Sequence, residues 1–128
     1  MYKPPPRQQR AFGSVIKQAA AHFLMQHGLT LLSRNFSCRS GEIDLIMRDN
    51  EVIVFIEVRY RRSLSYGTAT ATVNRYKQQR IIRTAQFFLS SSRLGDLFPC
   101  RFDVVGISPD ANSGRLHFDW IKDAFPAH

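Results

Sequence analysis

Cysteine is nearly absent from this 128-residue chain: only Cys38 and Cys100 occur, far apart and without CxxC spacing. His22, His27, His117 and His128 are scattered rather than clustered, so neither a zinc site nor a disulfide framework is expected. Two reduced thiols are the default. Long apolar runs are missing as well, and nothing approaches the roughly 20 residues that a membrane-spanning helix needs. Residues 1–10 are basic and Pro-rich, but Lys17, Gln18, His22 and Gln26 interrupt the apolar positions after them. No secretory leader is therefore expected, and a cytoplasmic protein is. Internal repeats are absent too.

Acidic residues are the other scarcity. Against 18 Lys+Arg stand only 10 Asp+Glu, a formal net charge of +8 and a sequence pI near 10.2. Such an excess suits a polyanionic partner, nucleic acid above all, although composition alone would also fit a generic basic or ribosome-associated protein. A membrane surface fits less well, because no helix combines a basic face with an exposed bulky apolar one. With 44% hydrophobic residues the chain reads as globular, long enough for one core but not for two.

The few carboxylates are not spread at random. GEIDLI at 41–46 and VFIEVR at 54–59 alternate apolar and charged residues, as strands buried on one face do. Asp49-Asn50 between them suits a tight hairpin turn. Pairing Arg48 with Glu51 then sets Glu42 opposite Glu57 and Asp44 opposite Phe55. Alternation places Glu42, Asp44, Glu57 and Arg59 on one side of the hairpin, with Ile43, Leu45, Val54, Ile56 and Val58 on the other. A solvated polar face would be the ordinary explanation. Two features weigh against it: the face is acidic in a basic chain, and Arg59, Arg61 and Arg62 follow at once. Facing carboxylates repel by roughly several tenths of a kcal/mol, and a divalent cation removes that cost. Carboxylate oxygens are what Mg²⁺ prefers, its other positions being filled by water and phosphate.

Around this hairpin the spacing predicts an extended or disordered arm at residues 1–10 and then a single domain at 11–128. A helix is expected over 14–27, with Ser14 as N-cap, Gly28 as stop, and Val15, Ile16, Ala19, Ala20, Phe23 and Leu24 at helical spacing. A strand is expected at 29–36, hairpin strands at 42–48 and 51–60, and a small polar loop with Gly67 at 63–70. A second helix should cover 71–91, its cations Arg80 and Arg83 on a solvated face and Lys77 nearer the core. Another loop at 95–99, strands at 101–107 and 115–118, and packing roles for Trp120 and Phe125 complete the chain. This is an α/β pattern with a mixed central sheet flanked by helices.

Gly28, Asn35, GEIDLI, VFIEVR, Arg61, Gly67, Lys77, Arg80-Ile81, Ala85 and RFDVV at 101–105, in that order, resemble the YraN-like family of small bacterial proteins. That family is similar in turn to PD-(D/E)XK nucleases and Holliday-junction resolvases. The likeness covers about residues 13–107 and implies a restriction-endonuclease-like fold and a Mg²⁺- or Mn²⁺-dependent nuclease acting on DNA, branched DNA included. It implies Asp44 and Glu57 as metal ligands, helped by the Val58 carbonyl and Glu42. Arg59 would grip the scissile phosphate, and Arg61, Arg62, Arg75 and Lys77 would line the approach of the nucleic acid; a homodimer is compatible with this role. Two positions depart from the family: Arg59 stands where lysine is usual, and Lys17 where many members have a glutamate on the first helix. Arginine cannot act as a base but can hold a phosphate through two N–H groups. The alternative expectation is a nucleic-acid-binding module that kept the fold and lost the chemistry.

Overall fold

The computed structural model describes residues 6–62 and 73–127. Helix α1 spans Pro6–Gln26 and so begins well ahead of Ser14, within the stretch expected to be an arm. Pro6 suits a first helical position, where its missing N–H costs nothing, and Arg7, Gln8, Gln9, Arg10 and Ala11 are all good helix formers. The helix buries Ile16, Ala20, Ala21 and Leu24, the i, i+4, i+5, i+8 stripe of an amphipathic helix. Val15, expected on that stripe, is exposed. Gly28 ends the helix at φ +95°, with Leu29 N–H bonded back to the Leu24 carbonyl.

Five strands follow: β1 Thr30–Cys38, β2 Gly41–Asp49, β3 Val52–Tyr60, β4 Cys100–Pro109 and β5 Leu116–Ile121. They lie in sequence order in one sheet, antiparallel except for the β3–β4 pair. Helix α2, Arg75–Ser92, lies between those two parallel strands in the chain, as a parallel connection requires. It starts later than residue 71, at Asn74, whose side chain accepts the Lys77 N–H at 2.9 Å as an N-cap. The loop expected at 63–70 lies outside the described residues. A single 3-10 turn, Leu94–Asp96, occupies part of the expected 95–99 loop.

Each face of the sheet carries a helix. Leu45, Met47, Val54, Ile56, Val105 and Ile107 pack with Ile16, Ala20 and Leu24 of α1. Ile43, Ile46, Ile53, Phe55, Phe102 and Val104 pack with Ile81 and Ala85 of α2. The α/β class, the mixed central sheet and its flanking helices are those expected, and they are consistent with a restriction-endonuclease-like architecture. Among the described residues no helix is long and apolar enough to cross a membrane.

Two details of the hairpin differ from expectation. The turn is Asn50-Glu51, because Asp49 pairs with Val52 and Arg48 with Ile53. Asn50 takes the left-handed conformation at φ +54°, which asparagine tolerates, while Asp49 is drawn to Arg101 at 2.9 Å. The register is thus shifted by two residues, so that Asp44, rather than Glu42, comes next to Glu57 beyond the last pair, Leu45↔Ile56. The expected split into one polar and one apolar face is also overturned. Both faces are buried, and Ile43 packs on the α2 side while Leu45, two residues on, packs on the α1 side. Alternation breaks at Asp44, where the β1–β2 pairing passes over Asn35 and Asp44 and Asn35 adopts φ +51°.

Beneath β5, Asp103 is fully buried. It accepts from the Arg101 guanidinium at 3.0 Å, the Trp120 indole at 2.9 Å and the Asp123 backbone at 2.9 Å. These bonds satisfy a charge that would otherwise be costly to bury. Phe125 stacks on Phe102, and Trp120 packs with Phe23, so both tail aromatics hold the roles expected of them.

Candidate active site

The site forms where β2 and β3 part. Past the Leu45↔Ile56 pair the ladder ends, and the Val58 N–H turns to a side chain instead: it donates to Asp44 Oδ2 at 2.8 Å. The other carboxylate oxygen of Asp44 lies 3.2 Å from Lys17 Nζ on α1. Lys17 also stands 3.7 Å from Glu42 Oε1 and donates to Asn35 Oδ1 at 3.0 Å. Burial pulls the Lys17 pKa down, but Asp44, Glu42 and Glu57 outweigh it and hold the ammonium above its ordinary value.

Glu57, on β3, is 5% exposed. Lys77 Nζ from α2 reaches its Oε1 at 3.0 Å, and Arg59 Nε lies 3.7 Å away. Burial first, and the negative charge of Asp44 second, push the Glu57 carboxyl above the usual range, against the pull of Lys77 and Arg59. Arg59 Nε is buried with no hydrogen-bond acceptor among the described residues. Buried donors of this kind are uncommon, and each calls for an explanation.

The structure therefore brings together Asp44, Glu57, Arg59, Glu42 and Lys77 from the expected set. Lys77 and Glu42 line a cleft of about 160 Å³ with Gly41, Arg80 and Ile81. Asp44 and Lys17 line a smaller one of about 90 Å³ with Asn35 and Arg34. Arg61 is half-buried and Arg62 exposed just beyond β3. Arg75 is exposed and, two positions before Lys77, lies more than half a turn away around α2. Arg80 is not simply solvated: its Nε donates to the Ser40 carbonyl at 3.1 Å and ties the β1–β2 turn to α2, whereas Arg83 is exposed as expected. A larger concavity, about 650 Å³, lies elsewhere, at the hairpin turn among Arg48, Asn50, Glu51 and Arg101. Size is a poor guide here; Glu42 and Lys77 mark one smaller cleft, and Asp44 and Lys17 the other.

Sequence reasoning noted Lys17 only as a departure and gave Asn35 no role. No local signal joins them to Asp44, because they come from a helix and a neighbouring strand that only the folded sheet unites. Among the described residues no three His, Cys, Asp or Glu side chains gather as a ready-made metal cluster. The charged constellation is two carboxylates, each held by a lysine from a different helix.

Residues 17–107, which contain every member of this constellation, match the model of the uncharacterised protein family UPF0102. Curated relatives cover nearly all of the chain. A UPF0102 protein of Nitrosomonas europaea is 50% identical over 113 residues, 88% of this chain and 92% of the relative. One from Alcanivorax borkumensis is 45% identical over 119 residues, 93% and 94% of the two chains. One from Pectobacterium carotovorum is 46% identical over 118 residues, 91% and 95%. This five-stranded α/β protein, with its carboxylates where β2 and β3 part, belongs to the uncharacterised protein family UPF0102.

Proposed function

We propose that the protein is a metal-dependent phosphodiesterase acting on nucleic acid, DNA first and branched DNA included. The observation that carries this reading is the closeness of Asp44 to a buried Glu57, with Arg59 beside it at 3.7 Å, its buried Nε without a hydrogen-bond acceptor among the described residues. Two carboxylates brought side by side, one of them buried, form a donor set suited to a hard cation, since Mg²⁺ and Mn²⁺ take oxygen ligands and keep sites for water and phosphate. Asp44 and Glu57 would hold the ion, with the Val58 carbonyl and Glu42 as further oxygen donors. When bound, such an ion supplies Lewis acidity at the phosphate and a hydroxide at neutral pH.

The chain's own residues supply the rest. Arg59 stays protonated and cannot serve as the base; its guanidinium would donate to a phosphate oxygen, a charge-assisted bond that also positions the phosphate. Lys77 sits within reach of Glu57 and the cleft, where it balances charge on the incoming backbone. Arg61, Arg62 and Arg75 extend the positive surface along which a polyanion approaches. Two free thiols, Cys38 and Cys100, suit a reducing cytoplasm, where we place this activity.

A non-catalytic nucleic-acid-binding module is the second reading, and one feature favours it: Lys17 and Lys77 already neutralise the two carboxylates. The deciding experiment incubates the purified protein with branched, duplex and single-stranded DNA, in Mg²⁺ or Mn²⁺ and in EDTA. Cleavage is expected only with the divalent ion, and Asp44→Asn or Glu57→Gln should abolish it. Binding without cleavage on every substrate would select the non-catalytic module.

A further inference from the structure

We infer that Lys17 is the site's built-in cation: its ammonium fills the cation position between Asp44 and Glu42, so that the protein takes up one divalent ion rather than two. This rests on the metal-site reading above.

Three side-chain oxygens from two adjacent strands converge on Lys17 Nζ: Asp44 Oδ1 at 3.2 Å, Glu42 Oε1 at 3.7 Å and Asn35 Oδ1 at 3.0 Å. Two carboxylates and an amide carbonyl are the hard-oxygen set that Mg²⁺, Mn²⁺ or Ca²⁺ selects. Here an ammonium with three N–H donors takes that set up instead.

The backbone fixes two members of this set. Asn35 holds a left-handed backbone at φ +51°, at the point where the β1–β2 pairing is interrupted opposite Asp44. Asp44 is fixed from the other side by the Val58 N–H. Lys17 is itself one residue after the buried Ile16 of α1, so the helix docks it over the break in the strands. Glu57 is served separately, by Lys77 and Arg59. Lys77 meets Glu57 through a single contact at 3.0 Å, whereas three side-chain oxygens hold Lys17; the single ion therefore enters on the Glu57 side by displacing Lys77, and is shared with Asp44. A further cation beside Asp44 and Glu42 would meet a fixed positive charge a few ångströms away, and that repulsion excludes it.

The test uses Mn²⁺ alone on the full chain, read by calorimetry and by paramagnetic resonance of bound ion. The natural protein should bind one Mn²⁺. Lys17→Gln, which removes the charge, should tighten Mn²⁺ binding by about tenfold, the effect of deleting one nearby like charge. Lys17→Glu should bind two ions and should gain more thermal stability from Mn²⁺ than the natural protein does. If Lys17→Glu does not fold, Lys17→Met decides the same question through affinity. Natural stoichiometry and affinity in all the folded variants, with binding still abolished by Asp44→Asn combined with Glu57→Gln, would overturn the role of Lys17 while leaving the metal site standing. No Mn²⁺ bound by the natural protein or by Lys17→Glu would overturn the metal reading itself, and this inference with it.

Discussion

Asp44 and Glu57 are both carboxylates in one site, yet the fold treats them differently, and substitution should separate them. Asp44 is anchored: it accepts the Val58 N–H and pairs with Lys17. Asp44→Ala strands a donor and an ammonium together, and an unsatisfied donor alone costs about 1–3 kcal/mol; Asp44→Asn, which keeps an acceptor, should cost less. Glu57 is strained instead, its pKa raised mainly by burial and next by Asp44. A carboxyl whose folded pKa exceeds its unfolded one binds more protons in the folded state, so its contribution to stability is lost as pH rises through the folded value. Glu57→Gln, an isostere of the protonated acid, should therefore raise the melting temperature in metal-free buffer at neutral pH. The gain should vanish below the ordinary carboxylate range, where both states are protonated. Thermal unfolding at a series of pH values checks both variants, and a Glu57→Gln protein less stable than the natural one at neutral pH would contradict the raised pKa.

At the scale of elements, two features set the site. One is the parting of β2 and β3 after Leu45↔Ile56, which lets a side chain, rather than a neighbouring strand, receive the Val58 N–H. The other is the start of α2. Asn74 caps the helix by accepting the N–H of Lys77, the same residue whose ammonium reaches Glu57. Asn74→Ala should cost about 1 kcal/mol, seen as a lower urea midpoint, while Asn74→Asp or Asn74→Ser should retain most of it. An unchanged midpoint in the alanine variant would show that the cap contributes nothing to holding that first turn.

For the whole molecule the net charge of +8 governs encounter rather than chemistry. Arg61, Arg62, Arg75 and Lys77 are spread over a strand end and a helix, an arrangement suited to backbone phosphates rather than to base edges. Affinity for duplex DNA should then fall steeply as salt rises, log–log, and vary little with sequence. Binding that ignores ionic strength, or that prefers one short sequence, would rule this mode out. The fold sets a limit of its own: both faces of the sheet are covered by helices, so a nucleic acid bound as proposed would have to reach the site at the end where β2 and β3 part.

The chain's own pattern already determined a good deal of this protein. Local periodicity marked both helices and every strand, because amphipathic spacing and strand alternation are written residue by residue. The GEIDLI and VFIEVR segments identified Asp44, Glu57 and Arg59 as a group, since carboxylates at strand-alternation positions stand out in a basic chain. Tertiary structure alone decided the rest. Glu51, in place of Asp49, joined Asn50 in the turn, while Arg101, 52 residues after Asp49, claims the Asp49 carboxylate. That two-residue shift moved Asp44 beside Glu57. The break in alternation at Asp44 depends on Asn35 in the neighbouring strand, and the lysine on each carboxylate comes from a different helix. Asp103 likewise looked like an ordinary strand residue until Arg101, Trp120 and Asp123 closed around it. Pairing partners distant in sequence carry no local signature; which cation meets which carboxylate is settled only when the sheet and its two helices pack.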